Sequence, residues 1–287
     1  VRNNERCAAL ILTHGRPSHV YTYDTLRKCG YTGDIYIIID NEDEKGDEYR
    51  KRFGSKWVIE FDKLAVSKTF DTGDTQNDRR SIVYARNASF SIAAELGLDY
   101  FVQLDDDYTA FHHRYPSEGV LKYHNVENLD AVFEAMLDFL DTTNAATVAF
   151  AQGGDLLGGV DSRAVRDGIL RKAMNSLFVK TSKPVQFIGR INEDVNTYVV
   201  GGQRGQLFLT VGPLALCQMT TQTNAGGMTS LYTESGTYLK SMFTVMMAPS
   251  CTSIGLMGSS NMRLHHRIKH EHAYPKVISS RYLNGAA

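Results

Sequence analysis

The sequence has few of the features that staple a small or extracellular fold. Its 287 residues include four cysteines, Cys7, Cys29, Cys217 and Cys251. None lies close enough to another for a zinc knuckle or a Cys-x-x-Cys redox pair. Reduced, mostly buried thiols in a cytoplasmic protein are the expectation. Six prolines leave no Pro-rich linker, and no internal repeat or low-complexity run marks a domain boundary. Long apolar runs are missing as well. Residues 35–39 (IYIII) fall far short of the roughly 18 needed to cross a bilayer, so no membrane partner is expected, and no basic-then-apolar leader is visible. An excess of one charge is also absent, with 31 Lys and Arg against 32 Asp and Glu and a net charge of −1. A nucleic-acid partner would therefore need a local basic patch, because there is no global positive field. What remains, 43% hydrophobic and 22% charged residues, is ordinary for a globular chain and excludes a disordered one.

The N-terminal part alternates strand and helix patterns. Cys7–Leu12 (CAALIL) reads as a buried strand that stops at Thr13-His14-Gly15-Arg16-Pro17. Residues 20–29 carry Val20, Tyr23 and Leu26 at helical spacing, with Gly30 as a stop. Residues 35–39 form a β-branched run ending in Asp40-Asn41-Glu42-Asp43, and residues 57–61 (WVIEF) predict another strand. Residues 81–96 predict a helix closed by Gly97, followed by the strand YFVQL at 100–104, which runs straight into Asp105-Asp106-Asp107. Continuous apolar strands separated by helices indicate a parallel sheet covered on both faces. Ligands bind at the carboxyl ends of such strands, so the loops at Thr13, Asp40 and Asp105 should line one site. Residues 126–140 show an apolar stripe opposite Glu127, Asp130, Glu134 and Asp138. Carboxylates at this spacing share one helix face, which reads as a solvated outer face with no chemistry.

Three consecutive carboxylates after a buried strand repel one another and call for a positive partner. Along an extended segment Asp105 and Asp107 leave one side and Asp106 the other. Two hard oxygen ligands on one side suit Mg²⁺ or Mn²⁺ shared with substrate phosphates; an acidic turn capping the strand is the alternative. One helix upstream, Arg86 and Asn87 can meet a pyrophosphate or a sugar, or simply sit on a helix surface.

A strand ending in an acidic residue, a helix bearing Arg-Asn and a strand ending in Asp-x-Asp together resemble a GT-A nucleotide-sugar glycosyltransferase. Ile191-Asn192-Glu193-Asp194 resembles the Glu-Asp motif of inverting members, whose Asp is the base. The stretches Thr221-Gln222-Thr223-Asn224-Ala225-Gly226-Gly227-Met228, Ser235-Gly236-Thr237-Tyr238-Leu239-Lys240-Ser241, His265-His266-Arg267-Ile268 and Pro275-Lys276-Val277-Ile278 narrow the likeness. Over residues 10–282 the chain resembles the phage-encoded TET-associated glycosyltransferases, which add sugars to 5-hydroxymethylcytosine in DNA. The resemblance implies a single GT-A-like domain over 1–287, an α/β fold with a mixed, mainly parallel sheet flanked by helices. It also implies a nucleotide-sugar half at 1–110 and an acceptor half at 111–287. It implies a UDP-sugar donor, Mn²⁺ or Mg²⁺, and DNA containing 5-hydroxymethylcytosine in a host cytoplasm.

Carried onto this chain, Asp105 and Asp107 would hold the metal with one of His265 and His266. Thr13, His14, Arg16, Asp40, Arg86, Asn87, Asp105 and Asp106 would meet the donor, and Asp194, beside Glu193, would be the base. Glu193-Asp194 reads equally as an acidic pair at a helix start, favoured by the helix dipole. Just before that pair lie Arg163, Arg166, Arg171, Lys172, Lys180, Lys183 and Arg190 with a single acid, Asp167. That local excess suits a phosphate backbone or is a solubilising face. Two alternatives share the pattern: the same donor chemistry on a protein or glycan hydroxyl, and an inert DNA-binding module of the same fold.

Overall fold

Why the chain alternates becomes visible in a computed structural model that describes residues 6–74, 78–168, 172, 174–219, 229–258 and 262–274. The apolar runs become strands β1 (Cys7–Leu12), β2 (Asp34–Asp40), β3 (Val58–Phe61) and β4 (Tyr100–Asp105). Between them lie helices α1 (Tyr21–Lys28), α2 (Gly46–Phe53), α3 (Lys63–Ser67) and α4 (Val83–Glu95). Strands β5 (Tyr108–Ser117) and β6 (Val120–Asn125) form a hairpin. They are followed by α5 (Leu129–Thr143), β7 (Thr147–Gln152), the short α6 (Arg163–Arg166), β8 (Ser176–Lys180), α7 (Glu193–Gln203) and β9 (Phe208–Gln218). Helix α8 (Thr229–Met247), strands β10 (Thr252–Met257) and β11 (Arg263–Ile268), and α9 (His270–Ala273) complete the described chain.

Nine strands join in one sheet, ordered β3-β2-β1-β4-β8-β7-β9-β5-β6, while β10 and β11 pair separately. The first four are parallel, as the apolar runs imply. Further along, the sheet is mixed and mainly parallel, as expected. β8 runs against both β4 and β7, and β5 against both β9 and β6. The sheet is therefore mixed, with most strands pointing one way. Alternate residues of the central strands fill two cores. Leu10, Ile38 and Phe101 pack under α4 and α7, through Val83, Ala88, Ile92 and Val195. Ile11, Ile37 and Val102 pack under α1, α2 and α5, through Leu26, Tyr49, Phe133 and Met136. On α5 the apolar stripe is buried while Glu134 and Asp138 face outward, as the sequence pattern implies.

Registers of Leu12 with Ile38 and with Asp105 bring the carboxyl ends of β1, β2 and β4 together. The loops after Thr13, Asp40 and Asp105 therefore leave one edge of the molecule. The reversal of β8 places Ser176 beside Leu104 at that edge and Lys180 beside Tyr100 at the other. None of the four cysteines forms a disulfide; Cys29 and Cys251 are buried and Cys7 and Cys217 half-buried. No described helix is long and apolar enough to cross a membrane.

Candidate active site

At the carboxyl end of β1, Thr13 donates its hydroxyl to Asp106 at 2.5 Å. The Tyr49 hydroxyl lies 3.0 Å from Thr13 and accepts the Arg16 backbone N–H at 2.9 Å. Arg16 itself donates to Asp106 at 2.7 Å. Asp106 is 1% exposed, so it braces the Thr13–Arg16 loop from within. Burial nevertheless holds its pKa above the usual carboxylate range, against the pull of Arg16 and Thr13. Beside this loop His14 Nδ1 stands 2.8 Å from Asp40, and the Lys63 ammonium donates to the same carboxylate at 3.2 Å. The Asp40 hydrogen bond outweighs burial and raises the His14 pKa. For Asp40 burial opposes ionisation, but the His14 bond and the Lys63 charge win and lower its pKa. Asp43 accepts the Gly15 N–H at 2.7 Å. The two loops are therefore one charged, hydrogen-bonded wall.

The Asp triplet turn is clamped by α1. Thr22 donates its hydroxyl to the Asp105 carbonyl at 2.6 Å and accepts the Tyr108 N–H at 2.9 Å. As the alternation implies, Asp105 and Asp106 have different partners. Asp105 takes a guanidinium bond from Arg86 at 2.9 Å, and the same Arg86 donates to Glu193 at 3.0 Å. Arg86 is 1% exposed, one turn into α4, and joins the end of β4 to the start of α7. Asp107 keeps a buried carboxylate oxygen with no hydrogen-bond partner among the described residues. Burial, with Asp106 and Asp194 nearby, pushes Asp105 up to about 6 in spite of Arg86. Burial with Asp105 and Asp106 pushes Asp107 up to about 7. Glu193 is likewise held above its ordinary range by burial and by the charge of Asp194, which Arg86 only partly offsets. An under-compensated carboxylate set with an orphaned hard oxygen fits a divalent cation.

Asn87 spends its amide on the Phe187 backbone, donating at 3.0 Å and accepting at 2.9 Å. Arg86 and Asn87 thus brace the protein at the positions where the sequence suggests donor contacts. Among the described residues no three His, Cys, Asp or Glu side chains converge as a ready-made metal cluster, so neither His265 nor His266 joins Asp105 and Asp107 as the sequence suggests.

A cleft of about 610 Å³ opens beside this edge, bordered by Asp194, Asn192, Tyr198, Lys240, His265 and His266, among others. Asp194 borders it half-buried, whereas Glu193 is turned to Arg86. Adjacent side chains on an extended strand leave opposite sides, yet the rings of His265 and His266 stack 4.4 Å apart and both border the cleft. Burial lowers both pKa values, that of His266 to about 4, so both rings are neutral near pH 7, the ligand form of imidazole.

The basic tract does not form one face. Arg190 is buried and bonded to Asp74 and Asp78. Lys180 and Lys183 contact Asp141 and Asn144 at the far end of the sheet. Only Arg163 and Lys172 border the cleft; Arg171 lies outside the described residues, as do 221–228 and 275–278. Sequence reasoning missed Tyr49, Lys63 and Asn192. A buried tyrosine or lysine inside a helix carries no local signal. Asn192 did carry one, since Asn directly before an acidic helix start is a cap signature. It sits at φ 55° and donates to the Lys240 carbonyl at 2.8 Å and to Thr244 at 2.9 Å.

Three comparisons with known proteins bear on this arrangement. No curated protein matches the chain in sequence. In structure it resembles a mycobacterial protein with 9% identity and a TM-score of 0.50, covering 93% of this chain and 85% of that one. It also resembles glucosyl-3-phosphoglycerate synthase from Mycobacterium tuberculosis, solved with Mn²⁺, UDP and phosphoglyceric acid. That match has 10% identity and a TM-score of 0.49, covering 93% and 88%. TarS of S. aureus matches with 10% identity and a TM-score of 0.42, over 74% of this chain and 36% of that one. At such identities likeness speaks of fold alone. The sequence itself is more specific, for the model of the TET-associated glycosyltransferase family matches residues 7–227. The chain therefore belongs to the TET-associated glycosyltransferase family and is a glycosyltransferase with a GT-A-type fold.

Proposed function

We propose that the protein moves a sugar from a UDP-sugar to the hydroxyl of 5-hydroxymethylcytosine in DNA, with inversion at the anomeric carbon. The observation that carries this reading is the Arg86 bridge, which sets the carboxylates at the end of β4 beside the Glu193–Asp194 start of α7. One group suits a donor diphosphate and the other an acceptor hydroxyl, and the transfer needs both within reach of one another. The donor is bound at the Thr13–Arg16 and Asp40–Asp43 loops. Asp105 and Asp107 would hold Mn²⁺ or Mg²⁺, which when bound supplies Lewis-acid stabilisation of the diphosphate. Asp194 accepts the hydroxymethyl proton as that oxygen bonds to the anomeric carbon, and the bond from that carbon to the UDP oxygen breaks. Arg86 keeps Glu193 turned away from the cleft, which leaves Asp194 the carboxylate that meets the hydroxyl. Enzyme is incubated with a panel of UDP-sugars, Mn²⁺ or Mg²⁺, and hydroxymethylated or unmodified DNA, and the nucleosides are weighed by mass spectrometry. A hexose-sized gain confined to hydroxymethylcytosine is the expected result. Transfer to a protein or glycan hydroxyl instead, or no turnover with any donor, overturns the reading.

A further inference from the structure

The β10–β11 ribbon stands outside the main sheet, and its charged side chains have no part in the chemistry above. Arg263 and Arg267 are exposed and flank His265 at two residues on either side. Alternation along a strand puts all three on one face of the ribbon, where His265 borders the cleft and Arg267 donates to the Leu256 carbonyl at 2.8 Å. Lys240 of α8 borders the same cleft, as do Arg163 and Lys172 from α6 and the segment after it. Their fields reach its histidines. Burial first, then Arg263, Lys240 and Arg267, lowers the His265 pKa; burial, then Lys172 and Arg163, lowers that of His270. Among the described residues two carboxylates, Asp194 and Asp155, border the cleft with these cations; Asp155 is paired with Lys172, and Asp167 lies 3.8 Å from Arg163. In a chain with a net charge of −1, three cations thus border the cleft and two more stand on the ribbon that carries His265. On and next to the same ribbon, Leu256, Met257 and Met262 are exposed, apolar surface suited to sugars and base faces.

We propose that the β10–β11 ribbon, with Arg163 and Lys172 across the cleft, is the track on which the DNA phosphate backbone lies. The proposal rests on the reading of DNA as the acceptor. At about 3.4 Å per residue, Arg263 and Arg267 stand ~13 Å apart along the strand. One DNA strand presents a phosphate about every 3.4 Å along the helix axis, so the two arginines meet different phosphates. The charge complementarity favours a phosphodiester chain over a neutral glycan, which would gain nothing from five cations.

The test measures binding of hydroxymethylated DNA by fluorescence anisotropy across a salt series, alongside sugar transfer to the same DNA. Arg263→Gln and Arg163→Gln should each lower the slope of log affinity against log salt by about 0.7–0.9. Lys180→Gln, at the other end of the sheet, should keep the wild-type slope. Slopes in the two arginine variants equal to wild type overturn the track, and so does an equal loss in the Lys180 variant. If the arginine slopes fall as expected but no sugar reaches the DNA, the track stands and the acceptor reading fails. If wild-type protein does not bind DNA at low salt, both fail.

Discussion

Glu193 is held from within by Arg86 while Asp194 borders the cleft, so changes at these neighbours should fail in different ways. Asp194→Asn preserves shape and removes basicity. Turnover should fall about a hundredfold to ten-thousandfold, with the melting temperature and UDP affinity kept. Glu193→Gln leaves a buried guanidinium with one charged partner fewer, and stability should fall by about 1–3 kcal/mol in urea unfolding. A crippled but fully stable Glu193→Gln beside a near-normal Asp194→Asn would reverse the two roles. His14 offers a second separation. Its pKa is raised by the hydrogen bond to Asp40, so the folded state binds the proton more tightly than the unfolded one. The stabilisation is fully present below the ordinary histidine value of about 6.5 and is lost as pH rises through the folded value. His14→Gln should therefore cost more thermal stability near pH 5.5 than near pH 8.5. Equal losses at the two pH values would mean that the pair contributes nothing.

At the scale of elements, the start of α7 is fixed less by its own residues than by what Asn192 reaches. Its left-handed backbone, φ 55°, is one that Asn tolerates and β-carbon-bearing apolar residues resist. Its amide ties α7 to α8 through Lys240 and Thr244 and approaches His266 of β11 at 3.4 Å. Asn192→Gly keeps the backbone freedom and deletes the ties, whereas Asn192→Ala loses both. We expect both variants to lower kcat with little change in KM for the donor, and Ala to cost about 1–2 kcal/mol more stability than Gly. If Gly is fully active, the cap matters only through its backbone. Such long-range ties mark the limit of what local sequence carries. Strands β1, β2 and β4 and helix α4 were legible because continuous apolar runs and helical spacing are local signals. The reversal of β8 was not, since SLFVK reads the same in either direction and only pairing with β4 and β7 orients it. That one reversal scattered the basic tract, carrying Lys180 and Lys183 away from the site. The polar hairpin β5–β6 lies at an edge, where burial is partial and the period weak. The Asp triplet and the Glu-Asp pair were legible as motifs, but their junction through Arg86 required the fold.

For the whole molecule, a nearly neutral total hides a division of charge. Carboxylates crowd the end of β4 and the start of α7, and cations collect around the neighbouring cleft. The crowding works against the fold in the absence of a counter-ion, because Asp105 is buried in the field of Asp106 and Asp194 and Asp107 in that of Asp105 and Asp106, and one Asp107 oxygen has no hydrogen-bond partner among the described residues. Sites arranged for a ligand commonly sacrifice stability in this way, and relieving them commonly returns about 0.5–2 kcal/mol. Asp107→Asn should accordingly raise the melting temperature of the metal-free protein by a few degrees, at about 2–4 °C per kcal/mol for a chain of this size. In the wild type, UDP with Mn²⁺ at about a hundredfold over its dissociation constant should add roughly 2.7 kcal/mol. In the Asp107 variant that gain should vanish, while circular dichroism stays that of the folded protein. The two measurements pull in opposite directions, which a merely structural aspartate cannot reproduce. An acidic turn that only caps the strand predicts a variant less stable than wild type in the metal-free state and stabilised by UDP and Mn²⁺ to the same extent. Differential scanning fluorimetry of the two proteins, with and without EDTA, distinguishes the cases.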